Sequence, residues 1–104
     1  MIARIWEGRT SLEKADAYKK FLLKVAVHDY KSVKGLLGLQ FFHRQENNEV
    51  CFTLITFWPS IAAIKKFAGA DYEKAKYYPD DKEYLLDFPE KVKHCEVFYR
   101  EVVN

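Results

Sequence analysis

The 104-residue sequence predicts an α+β fold of ferredoxin-like type, ordered strand, helix, strand, strand, helix, strand, with short helices inserted before the last strand. Three observations carry this expectation. Residues 50 to 67, VCFTLITFWPSIAAIKKF, pass from an apolar strand through Pro59-Ser60 straight into an amphipathic helix. Two strand-like runs flank Asn47-Asn48, and Asn tolerates the left-handed conformation that a tight hairpin turn demands. A helical stripe of Leu12, Ala15, Tyr18, Leu22 and Val25 separates the first strand from that hairpin.

Residues 2 to 8, IARIWEG, read as the first strand, closed by Gly8. Thr10 with Glu13 three residues on has capping-box spacing, so a helix is expected from there to about Val27. His28 to Lys34 lacks a period and reads as a loop ended by Gly35. Leu36 to Gln45 and Glu49 to Trp58 form the hairpin. With Asn47-Asn48 as its loop, Glu46 faces Glu49, Arg44 faces Cys51, His43 faces Phe52, Phe41 faces Leu54 and Leu37 faces Trp58. One face then carries His43, Phe41, Leu39, Leu37, Phe52, Leu54 and Trp58, and the other the more mixed set of Arg44, Phe42, Gln40, Cys51, Thr53, Ile55 and Phe57.

Ser60 caps the second helix, whose buried stripe is Ile61, Ile64, Phe67 and Ala68, and Gly69 stops it. Asp71 caps a further turn or two through Tyr78, where Pro79 blocks continuation. Asp80 with Glu83 starts a short helix reaching Asp87, with Asp81 in a solvated first turn. Val92 to Val103 reads as the closing strand.

Strand 50 to 58 is apolar on both faces, and one layer of helices covers only one. A second sheet is expected to cover the other. In so short a chain that sheet belongs to another subunit, so the sequence reads as a single domain over 1–104 that forms a homodimer through sheet faces.

Hydrophobic residues make up 49% and aromatics 16% of the chain, which excludes a disordered protein. Seventeen basic against fifteen acidic residues leave a net charge of +2 with no basic block, which points to neither nucleic acid nor an anionic membrane. An RNA-binding domain with the same element order would display a Gly-rich aromatic strand, and strand 50 to 58 has no Gly. No apolar stretch approaches the roughly 18 residues of a membrane span and the start lacks a signal-peptide pattern, so a cytoplasmic location is expected. Cys51 and Cys95 then read as free, buried thiols. His28, His43 and His94 show no ligand spacing, His94 and Cys95 point to opposite sides of a strand, and no metal site is expected.

MIARIWEGRT at the start, the junction TFWPSIAAIKKFAG, the segment YYPDDKEYLL and the closing VKHCEVF together resemble the antibiotic biosynthesis monooxygenase-like family of the dimeric α/β-barrel superfamily. The resemblance covers most of the chain and implies two protomers packing their sheets into a barrel. That superfamily includes cofactor-independent oxygenases of aromatic phenols, haem-degrading oxygenases, isomerases and members without known activity. Where the haem-degrading branch uses Asn, Trp and His, this sequence has Glu7, Phe67 and Tyr77. The resemblance therefore implies a monooxygenase acting without a cofactor on a small aromatic or phenolic substrate. Its alternative is a non-catalytic ligand-binding or stress-responsive dimer, with haem binding or degradation, for which a Tyr77 tyrosinate could hold the iron, ranked behind both.

Candidate residues follow from that expectation. Trp58 and Phe67 are expected as apolar walls, and Tyr77, Tyr78 and Tyr84 as hydroxyl donors in a tyrosine-rich lid that also contains Tyr72. His43 is a candidate proton acceptor, with Tyr77 beside it in the catalytic set, and Arg9 a candidate for stabilising negative charge. Each also has an ordinary structural role open to it: core packing for Trp58, a sheet-edge position for His43 and packing of the insertion for the tyrosines.

Overall fold

In the computed structural model, which describes residues 1–104, a four-stranded antiparallel sheet runs in the order β2-β3-β1-β4. Its strands are β1 (Ile2–Ser11), β2 (Gly38–Glu46), β3 (Glu49–Trp58) and β4 (Lys93–Glu96). This is the expected α+β, ferredoxin-like arrangement. The hairpin has the expected register, with Glu46 opposite Glu49, Arg44 opposite Cys51, His43 opposite Phe52 and Phe41 opposite Leu54, and Asn47 has φ 58°. The ladder ends at Gly38 and Phe57. Leu37 therefore gives only a backbone N–H to the Phe57 carbonyl, at 2.8 Å, and its side chain is exposed instead of facing Trp58.

β1 is longer than expected, because Gly8 does not end it. A Cβ on Gly8 would lie 2.4 Å from Cη2 of Trp6 and 3.1 Å from Cδ2 of Leu85, so the glycine admits an indole packed along its own strand. Thr10 is a buried strand residue, not a cap. Ser11 Oγ accepts the Lys14 N–H at 3.3 Å in the turn before the first helix, which itself starts after Lys14 without a side-chain cap.

The first helical segment comprises α1 (Ala15–Phe21), a wide π-turn at Leu22–Ala26 and α2 (Val27–Lys31). His28 to Lys31, expected as loop, are thus helical. The π-turn keeps Tyr18, Leu22, Ala26 and Tyr30 on one buried line, although a four-residue spacing would drift round a regular helix. Tyr30 fixes the end of that line by stacking on Phe67 at 4.5 Å, and this packing outweighs the weak local pattern.

α3 (Ile61–Ala68) begins and ends as expected: Ser60 Oγ accepts the Ala63 N–H at 3.2 Å, and Gly69 has φ 91°. All three helices lie on one sheet face, where Trp6, Val50, Phe52, Leu54 and Trp58 meet Tyr18, Leu22, Tyr30, Ile64 and Phe67.

The segment after Gly69 differs from expectation. It forms one turn at Asp71 and then runs extended, bridging Lys74 to Lys91, instead of continuing as helix to Tyr78. A 3-10 turn at Pro79–Glu83 replaces the expected helix to Asp87. Asp81, not Asp80, organises it: Asp81 Oδ2 accepts the Tyr78 N–H at 2.7 Å, and the residue is only 1% exposed.

β4 is also shorter than the expected Val92 to Val103. It pairs antiparallel with the beginning of β1, so the ladder runs out at Met1, whose carbonyl accepts the Val97 N–H at 2.9 Å. Phe98, Tyr99, Val102 and Val103 are exposed beyond it.

The sheet face away from the helices carries Ala3, Ile5, Glu7 and Arg9 of β1 alongside Phe57, Ile55, Thr53 and Cys51 of β3. No helix covers it, and the C-terminal segment touches it only at one end, where the Arg100 guanidinium lies 4.3 Å from the Phe57 ring; the molecule is a slab of 36 × 36 × 22 Å. No helix is long and apolar enough to cross a membrane.

Candidate functional site

Alternation along β1 turns Arg4 and Trp6 to the helix side, beneath the segment 72–92. Arg4 is 2% exposed, and no carboxylate pairs with it. Its guanidinium donates to the carbonyls of Tyr72 and, at 3.2 Å, of Lys74, and Nη1 lies 3.1 Å from Nε2 of His94. The Phe67 ring lies 5.9 Å away. Trp6 is 5% exposed, and its indole N–H is buried without an acceptor. Edge to face with that indole, at 6.0 Å, is the ring of Tyr77, whose hydroxyl donates to the Pro89 carbonyl.

Two carboxylates tie the same segment to the first helix. Asp29 accepts from the Tyr78 hydroxyl at 2.7 Å and from Lys76 at 3.0 Å. Burial pushes its carboxyl up, yet those two donors hold it below its ordinary value. Asp81 accepts from the Tyr18 hydroxyl at 3.1 Å, and burial holds its carboxyl above the ordinary value against the pull of its donors. Tyr84 packs between Tyr18 and Phe21, at 5.2 and 5.5 Å. Asp81→Ala leaves the Tyr18 hydroxyl and Tyr78 N–H without their acceptor, for an expected loss of about 2 kcal/mol in urea unfolding. The same substitution on a Tyr18→Phe background is expected to lose less.

The phenols stay protonated. Burial, with Asp87 and Asp81 adding, pushes Tyr77 up to about 12, and burial with the Asp29 hydrogen bond raises Tyr78 further. The buried tyrosines therefore act as neutral donors at neutral pH.

The residues singled out from the sequence do not converge on one point. Trp58 is fully buried, its Nε1–H donating to Thr56 Oγ1 at 2.8 Å, and Phe67 lies between Tyr30 and Lys76. Tyr77, Tyr78 and Tyr84 share the segment over the sheet but engage different partners. His43 stands exposed at a cleft between α1 and β2. Arg9 is on the opposite sheet face, paired with Glu49 at 3.1 Å and Glu46 at 3.8 Å. Arg4 and Trp6 were not among the expected residues. Their period-two placement in IARIWEG, opposite Ala3 and Ile5, was the available signal.

His94 ties the site to pH. Burial, and then the neighbouring Arg4, hold its imidazole below the ordinary 6.5, with Glu73 opposing. The fold favours the neutral ring, so the unfolded chain takes up the proton first. Stability from this group is complete above about pH 6.5 and falls as pH drops, until the folded ring is also protonated. Urea midpoints at pH 7.5 and 5.5 should therefore differ more in the wild type than in His94→Gln.

The chain matches no protein-family model and no curated protein. Among solved structures it resembles a crystal structure of a mutant of MhuD with two manganese protoporphyrin IX bound per active site. The two share 16% sequence identity over 99% of this chain and 100% of that one, with a TM-score of 0.63. At that identity the likeness establishes a common fold.

Proposed function

We propose that the protein is a homodimer that binds a small planar phenol beneath the segment 72–92 and oxygenates it without a cofactor. The observation that carries this reading is the buried, unpartnered indole N–H of Trp6, on the strand face that also presents the Arg4 guanidinium. A phenolate oxygen is the acceptor such donors favour, and the rings of Trp6, Tyr77 and Phe88 suit a flat ligand. With the phenols held protonated, the substrate supplies its own ionised form. Donors that hold the phenolate lower its cost, and the electron-rich ring then reduces oxygen. For an anthrone-type methylene the reaction balances as CH2 plus O2 giving C=O plus H2O. One oxygen atom enters the carbonyl, and the other leaves as water with both hydrogens.

The MhuD mutant structure holds two manganese protoporphyrins per active site, which supports flat-ligand binding in this fold. Haem itself does not suit these residues. The Tyr77 hydroxyl is engaged by Pro89 and its pKa is raised to about 12, so it is a poor source of tyrosinate for iron. The dimer is supported by the uncovered sheet face with Ile5, Ile55 and Phe42. Light scattering should give twice the 12.3 kDa chain mass, and Ile55→Glu should return it to one.

One observation favours a non-catalytic dimer: the Tyr77 and Tyr78 hydroxyls already have partners inside the chain. Oxygen uptake and fluorescence binding with anthrone- and hydroquinone-type compounds separate the readings. Uptake that falls about tenfold in Trp6→Phe supports oxygenation, since a hydrogen bond to a charged oxygen contributes about 1.5 kcal/mol. Binding that depends on Trp6 without uptake supports a carrier, and no binding rejects the site.

A further inference from the structure

His43 belongs to neither the site above nor the uncovered sheet face. It lines a cleft of about 150 Å³ between α1 and the edge strand β2. We infer that this cleft is a second binding site, for a single aromatic ring or short branched acyl group that carries a carboxylate.

Size, lining and charge each restrict the ligand. The recess of about 150 Å³ holds one benzene-sized ring, with anything larger left in solvent. Five of the seven lining residues are hydrophobic, and the other two are Lys19 and His43. Leu23, 58% exposed, forms one lip, and Phe42, which also belongs to the sheet face offered to the dimer, borders the cleft at the strand edge. Phe52 lies deeper, its ring 5.9 Å from the His43 imidazole, and gives a ligand ring an aromatic surface to meet. No carboxylate lines the cleft; Asp16 belongs to the adjoining groove. The Lys19 ammonium therefore favours an anion, and the imidazole can donate a hydrogen bond to it.

The local backbone adds an independent observation. Leu22 and Leu23 open the π-turn, with Leu22 in the core and Leu23 at the mouth. Such turns recur at functional sites.

Benzoate titrated into the isotope-labelled protein tests the assignment by NMR. Saturable shifts are expected at the Leu22 and Leu23 methyls and the His43 ring. Lys19→Glu, an exposed helix substitution, should weaken benzoate about fivefold, as loss of one surface charge contact would. Benzylamine should bind the wild type more weakly than benzoate does, and this order should reverse in the variant. Shifts that fail to saturate, that map elsewhere, or that give the same benzoate affinity in Lys19→Glu would overturn the inference.

Discussion

Gly8→Ala is expected to destabilise the protein by about 2–3 kcal/mol, the usual cost of forcing a methyl into a filled core. The new Cβ would stand 2.4 Å from Cη2 and 2.9 Å from Cζ3 of Trp6, and 3.1 Å from Leu85 Cδ2. The indole cannot easily retreat, since it is 5% exposed and its far side meets Tyr77. A gain of about 0.5–1 kcal/mol from the lower chain entropy of alanine is too small to offset this. In a domain of this size the net loss corresponds to roughly 10 °C or more in Tm. The clash is with one side chain, so it can be removed. On a Trp6→Leu background the same glycine substitution should cost less than about 1 kcal/mol, a coupling readily measured by a double-mutant cycle. Equal losses in both backgrounds would mean that Gly8 serves the backbone and not the indole.

This position also shows what was legible in the sequence. Glycine after a short apolar strand looks like punctuation, and only the folded chain reveals that the residue beside it lies down along the strand. The β2–β3 register was legible because Asn47-Asn48 fixed the turn and the two-residue alternation fixed the rest. The Ser60 cap of α3 and its Gly69 stop were legible for similar local reasons. The segment 70–92 was not. Its conformation depends on Arg4, Tyr18 and Asp29, which bond to it from 49 to 70 residues away along the chain. Local capping patterns favoured Asp80, while a tyrosine on α1 selected Asp81. The candidate site suffered in the same way. Tyrosine clustering marked the segment over the sheet, but the buried donors beneath it come from the first strand, whose faces the composition of IARIWEG alone did not separate.

Those donors make Arg4 the position with the largest expected effect. Arg4→Ala should cost about 3–4 kcal/mol, from two buried carbonyls left without a donor plus the cavity of a truncated side chain. The carbonyls of Tyr72 and Lys74 lose their donor, and the space left beside Phe67 adds a cavity cost. Arg4→Met separates these contributions. It removes the same cation but fills much of the volume, so its loss should be smaller, about 1–2 kcal/mol. Both variants untie the segment from β1. Amides near Ala75 should exchange faster in each, by more than the change in global stability accounts for, while those of α3 should track global unfolding. The proton on His94 provides a second readout. With Arg4 gone, one of the two influences that hold the imidazole below 6.5 disappears, and the acid-side loss of stability should shrink in both variants. Unchanged exchange around residue 75, together with an unchanged pH profile, would show that Arg4 only fills space under the segment and does not hold it.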